Sequence, residues 1–159
     1  LRRRSILRYL ESYVVDTSIL IAYIVENEPG RNKVIELFKK AFKNHVELYI
    51  TYQTLSETIY IAYKIYSIAG EKEPNRRALE FAKWITNTMK IVELNPEIAF
   101  RAGELKKILN IALTDCYVIA TAEYFKTKAL FLKPEKEMLK DIELLRKLPI
   151  SFILPWEER

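Results

Sequence analysis

Four carboxylates stand where an acid can do chemistry on a bound group: Asp16, Glu57, Asp115 and Glu135. Asp16 ends the apolar run Tyr13-Val14-Val15 and precedes Thr17-Ser18 and the helical pattern Ile19-Leu20-Ile21-Ala22-Tyr23. A carboxylate at a strand-to-helix turn sits at the rim of a sheet, and open α/β sheets bind ligands outside the carboxyl ends of their strands. Glu57, between Ser56 and Thr58, interrupts an otherwise apolar helix, Asp115 opens the apolar run Cys116–Ala122, and Glu135 follows Leu130-Phe131-Leu132-Lys133-Pro134.

Each acid taken alone has a structural explanation. Asp16 can cap the helix that follows it, Asp115 and Glu135 suit the positive end of a helix dipole, and Glu57 can pair with Lys64 or face solvent. Together they are harder to explain this way. Carboxylates gathered in one pocket repel, and at least one then tends to keep its proton. A hard divalent cation removes the conflict, because Mg²⁺ or Mn²⁺ takes oxygen ligands from carboxylates, water and phosphate. A lone His45 and a lone Cys116 make a nitrogen- or sulfur-rich zinc site implausible. A carboxylate-held cation can orient and activate water for in-line attack on a phosphodiester and neutralise the leaving oxygen.

The elements that must position these acids alternate along the chain. Short runs rich in β-branched and aromatic residues predict strands over Tyr13–Val15, Val46–Thr51, Lys90–Leu94, Ala129–Lys133 and Ile150–Leu154. Helical spacing predicts helices over Asn32–Asn44, Leu55–Ala69, Asn75–Met89, Glu97–Asn110, Asp115–Lys126 and Glu135–Leu148, three of them behind a proline start signal. This alternation predicts five parallel strands joined by right-handed crossovers, with Tyr13–Val15 near the middle. The Leu55–Ala69 helix has hardly any polar face. A helix apolar all round is buried on more than one side, so it is expected either at a homodimer or higher-oligomer interface or as a central core helix of a monomer.

The chain has 159 residues, 50% of them hydrophobic and 30% charged, which suits one domain with a full core and excludes a disordered chain. No apolar run reaches the roughly 18–20 residues of a membrane span, so no membrane partner is expected. The N terminus has the basic residues of a signal peptide but neither its apolar centre nor its cleavage site. A single cysteine permits no intrachain disulfide and fits a reducing, cytoplasmic setting. The net charge of +5 permits a polyanionic partner. Arg2, Arg3, Arg4 and Arg8 form either an arm that touches phosphates or a frayed, tolerated terminus.

Four pieces in order carry a family resemblance: Val15-Asp16-Thr17-Ser18, Ser56-Glu57, Leu113-Thr114-Asp115 through Ala122, and Ala129–Leu132 with the acids Glu135 and Glu137 after it. The chain resembles the PIN-domain family, and within it the toxin ribonucleases of VapBC toxin–antitoxin pairs. The resemblance runs from about Tyr13 to the C terminus, which makes 1–12 a basic N-terminal extension and 13–159 a PIN-like nuclease domain. It implies a three-layer α/β/α domain with a central five-stranded parallel sheet. It also implies an endoribonuclease that hydrolyses RNA, with Asp16, Glu57, Asp115 and Glu135 as catalytic and metal-ligating residues around Mg²⁺ or Mn²⁺. Thr17, Ser18, Thr114 and Glu137 would support them, and an antitoxin protein would be a partner.

One segment departs from the family pattern. Where the family usually has a run such as Thr-Arg-Asp, this chain reads Lys133-Pro134-Glu135-Lys136-Glu137-Met138. A Glu replaces the Asp, the hydroxyl is gone, and either Glu135 or Glu137 can be the fourth acid. Lys133 can contact phosphate or repel a second metal. An RNA-processing nuclease of the same fold and a non-catalytic PIN-like interaction module are the alternatives. A flavodoxin-like nucleotide or response-regulator domain is a third option, but the sequence has no glycine-rich phosphate loop to support it.

Overall fold

The computed structural model describes residues 10–155, and its layers follow from the two-residue period of the strands. In β1 (Glu11–Val15), Val14 and Val15 are both fully buried yet belong to different cores. Val15 packs with Leu48 and Ile50 of β2 (Val46–Thr51), whereas Val14 packs with Ala129 and Phe131 of β4 (Lys128–Phe131). A sheet apolar on both faces must be covered on both faces. Helices α1 (Thr17–Ile24), α2 (Arg31–Phe42), α3 (Tyr52–Ile68) and α4 (Pro74–Thr88) cover the first. Helices α5 (Pro96–Ile108) and α6 (Leu113–Tyr124), with the single turns α7 (Lys136–Leu139) and α8 (Ile142–Leu145), cover the second.

The sheet has five strands in the order β3-β2-β1-β4-β5, with β3 at Lys90–Val92 and β5 at Ile150–Phe152, and every pair is parallel. The predicted three-layer α/β/α architecture with β1 in the middle is therefore the observed one. From β1 the chain winds outward through β2 and β3, then crosses to the other side for β4 and β5. The order reverses between β1 and β4, and at such a switch point the strand ends open a crevice. Asp16 directly follows β1, and the segment carrying Glu135 follows β4. Gly30, at the N-cap position of α2, adopts a positive φ of 87°, and a Cβ there would meet Leu154 at 3.0 Å.

Two expectations need correction. The single helix expected over Glu135–Leu148 is instead α7 and α8 separated at Asp141. The Asp141 carboxylate accepts the backbone N–H of Asn110 at 2.6 Å and its side-chain amide at 3.3 Å, which pins the chain to the loop after α5 and breaks the helix. The central-core alternative for α3 is also wrong. Its buried residues are Thr54, Thr58 and Ala62, while Tyr60 and Tyr63 are exposed and Ile68 is 88% exposed. The remaining strands and helices start or stop within a few residues of the predicted bounds. The arginines of the expected N-terminal extension lie outside the described residues, and β1 itself begins at Glu11.

Candidate metal centre

Asp16 is the N-cap of α1 in extended backbone, and its Oδ2 accepts the N–H of Ser18 at 2.9 Å. Its own N–H donates to the carbonyl of Leu130 at 2.9 Å, which locks it beside the end of β4. Ser18 extends that lock, since its hydroxyl accepts the N–H of Leu132 at 3.0 Å. Asp16 thus does cap its helix. Capping does not account for its environment, however, because the residue is only 5% exposed. Burial raises its pKa above the usual carboxylate range, the Ser18 hydrogen bonds oppose that rise, and the charge of Glu57 adds to it.

Glu57 reaches the same region from α3, on the other side of β1. Its Oε2 accepts a hydrogen bond from the Thr114 hydroxyl at 3.3 Å. The Lys64 partner considered from sequence is engaged elsewhere, with its ammonium against the Tyr60 hydroxyl and 4.3 Å above that ring.

Asp115 lies in the first turn of α6, half-buried. A helix N-terminus favours the charged form, yet Asp115 is pushed up to about 8. Burial is the largest cause, followed by the charges of Asp16, Glu135 and Glu57. The carboxyl groups of all four residues therefore lie within electrostatic reach of one another.

Glu135 is the N-cap position of α7 but makes no side-chain capping bond. Partial burial and then the charges of Asp16, Glu137 and Glu57 raise its pKa, while Lys133 opposes the rise. Glu135 is an exposed residue, so the neighbouring charges are the informative part of that shift. Asp115 feels Glu135 and not Glu137 among its principal neighbours, which puts Glu135 nearer the group. Glu137 is exposed in the single turn of α7. Lys133 stands at the rim with its ammonium 3.9 Å from the carboxylate of Glu28.

Among the described residues no three His, Cys, Asp or Glu side chains already stand in a ligating cluster. The donor chemistry nonetheless fits a hard cation. The four groups are oxygen donors, and the buried Cys116 thiol, pushed up to about 11 mainly by burial and then by Asp115, stays protonated. The Thr17 hydroxyl, beside Asp16 in a residue 4% exposed, is buried without a hydrogen-bond partner. One further residue, on the helix that carries Glu57, has no motif signal. Gln53, in the first turn of α3, also buries its side-chain oxygen without a partner.

A family model described as PIN domain matches residues 13–133. No curated protein matches the sequence significantly. Among solved structures, a toxin–antitoxin complex from Klebsiella pneumoniae superposes with a TM-score of 0.61 at 17% identity, covering 91% of this chain and 99% of that one. A DNA-bound VapBC from Salmonella typhimurium gives 0.63 at 15% identity, with 91% and 99% covered. PAE2754 from Pyrobaculum aerophilum gives 0.54 at 19% identity, with 86% and 94% covered. At these identities the likeness to solved structures is one of fold.

Proposed function

The chain belongs to the PIN domain family, and from that premise we propose that it is a metal-dependent endoribonuclease that hydrolyses RNA phosphodiesters, acting as the toxin of a VapBC-type pair. The observation that carries the reading is the convergence of Asp16, Glu57, Asp115 and Glu135 at the switch point of the sheet, where burial first and then the charges of the other three acids push Asp115 up to about 8. Such a group is costly in a protein that never binds a cation, and is useful in one that does.

Asp16, Glu57, Asp115 and Glu135 would hold Mg²⁺ or Mn²⁺, with Thr17 and Glu137 in support. When bound, the cation supplies a lowered pKa for a coordinated water and neutralises charge on the scissile phosphate. The chain's own groups do the rest. The Ser18 N–H and the link from Ser18 to Leu132 aim the Asp16 carboxylate, and the Thr114 hydroxyl aims Glu57. Asp115 would serve as a ligand in its ionised form, with its proton released to solvent. Lys133, on the rim, is placed to meet a phosphate of the incoming strand once it leaves Glu28.

VapBC complexes among the fold neighbours support an antitoxin as protein partner. The tyrosine face of α3 supports self-association, since Tyr60, Tyr63 and Ile68 are exposed. No helix among the described residues is long and apolar enough to cross a membrane.

Incubating the protein with a mixed RNA pool in Mg²⁺, Mn²⁺ or EDTA tests the reading. Endonucleolytic products are expected with either metal and none with EDTA. The non-catalytic module is favoured by the acids not yet standing in a ligating cluster, and it requires intact RNA in all three conditions.

A further inference from the structure

Only two buried side-chain polar atoms among the described residues lack a hydrogen-bond partner: Thr17 Oγ1 and Gln53 Oε1. Leaving such an atom unpaired is unfavourable, and native structures keep few of them without a reason. Both lie in the opening turns of helices that border the acidic group. Thr17 opens α1 directly after Asp16, and Gln53 falls in the first turn of α3.

The sheet register brings the start of α3 level with the end of β1. Val14 lies opposite Tyr49 in the parallel pair β1–β2. Continuing that register two residues brings Asp16 level with Thr51, where β2 ends and α3 begins. Gln53 and Glu57 are four residues apart on α3 and so share a face. Their neighbours Thr54 and Thr58 form the buried stripe, which sets Gln53 and Glu57 on the same flank of it.

The chemistry of the gap follows. The Gln53 side-chain oxygen can only accept, and so can an ionised carboxylate. No side chain among the described residues donates to Gln53. An acceptor beside carboxylates is satisfied by a donor with two hydrogens, and a water polarised by a cation is a strong one. Resting on the metal-dependent reading above, we infer that Gln53 is a positioning residue whose side-chain oxygen accepts a hydrogen bond from a water carried by the divalent cation of this site. It would orient the hydration shell without ligating the ion. Partners of this kind typically change metal affinity by about 10–100-fold when removed.

Mn²⁺ titration of the full chain, followed by calorimetry and by thermal shift, tests this without an activity assay. Gln53→Met keeps the length and helix preference of the side chain but removes the oxygen. Its Mn²⁺ affinity is expected to fall about 10–100-fold while the melting temperature of the metal-free protein stays equal or rises, because the unpaired oxygen is gone. Gln53→Glu keeps an acceptor in place and is expected to bind Mn²⁺ at least as tightly as wild type. Wild-type affinity in Gln53→Met overturns the inference, whether its melting temperature rises (a tolerated orphan) or falls (a structural amide). Failure of wild type to bind Mn²⁺ overturns the metal-dependent reading itself and this inference with it.

Discussion

The Thr114 hydroxyl donates to the Glu57 carboxylate at 3.3 Å, joining α6 on one face of the sheet to α3 on the other. The two helices meet over the carboxyl edge of the strands, so this bond spans the crevice that the reversal of strand order creates. It fixes one acid of the group relative to Asp115, one residue further along α6. Thr114→Val keeps the shape and removes the donor. RNA cleavage is expected to drop about 10–100-fold, measured as initial rates in Mn²⁺. The melting temperature should move by only a few degrees, since one part-buried hydrogen bond is worth about 1 kcal/mol. Unchanged cleavage would mean that Glu57 needs no such guide.

Proton linkage at Asp115 gives a second expectation. Its folded-state pKa is about 8, against roughly 3.9 unfolded. Between these values the folded protein binds more protons than the unfolded chain, so stability falls as pH rises. The metal-free protein should therefore melt higher at pH 5.5 than at pH 8.5, by about 2–4 °C for each kcal/mol involved in a chain of this size. Asp115→Asn should flatten that slope. Mn²⁺ should reverse it, because binding requires the ionised carboxylate and strengthens toward pH 8. A metal-free protein that gains stability across this range would contradict the electrostatic picture of the site.

The third expectation concerns α3. Tyr60 is 55% exposed and Ile68 88%, on a helix whose own core stripe is only Thr54, Thr58 and Ala62. A stable interface covering this face should bury about 800 Å² per partner. Light scattering at micromolar concentration is expected to give at least the dimer mass. Tyr60→Lys with Tyr63→Lys should shift it to the monomer mass without lowering the melting temperature of the isolated chain. A wild-type monomer would leave the face without this role.

The sheet was the most legible part of the molecule. Val46–Thr51 coincides with its predicted bounds, and β1 lies at the centre because its fully apolar end can be satisfied only with cover on both faces. The acids were legible as interruptions: a carboxylate at the end of an apolar strand or within an apolar helix breaks a strong pattern. The break at Asp141 was not legible, since it depends on a contact with Asn110 across the chain. The exposure of the α3 tyrosines was hidden for a similar reason. Periodicity shows that a helix is apolar, not which neighbours the fold supplies to cover it. Gln53 gave no signal at all: one amide in a helix is ordinary, and only the packing around it makes its buried oxygen unusual.

Asp16 separates the structural reading from the chemical one, because it both caps α1 and belongs to the charged group. Asn caps a helix as well as Asp does, so Asp16→Asn retains the cap and removes the charge. The decisive measurement is cleavage of one RNA pool by wild type and Asp16→Asn, side by side in Mn²⁺, with both melting temperatures recorded. The account predicts that cleavage is lost in the variant while its metal-free melting temperature is equal or slightly higher, as repulsion with Glu57 is relieved. Equal cleavage by the two proteins would show that Asp16 is a cap and nothing more, and the nuclease reading would fail with it.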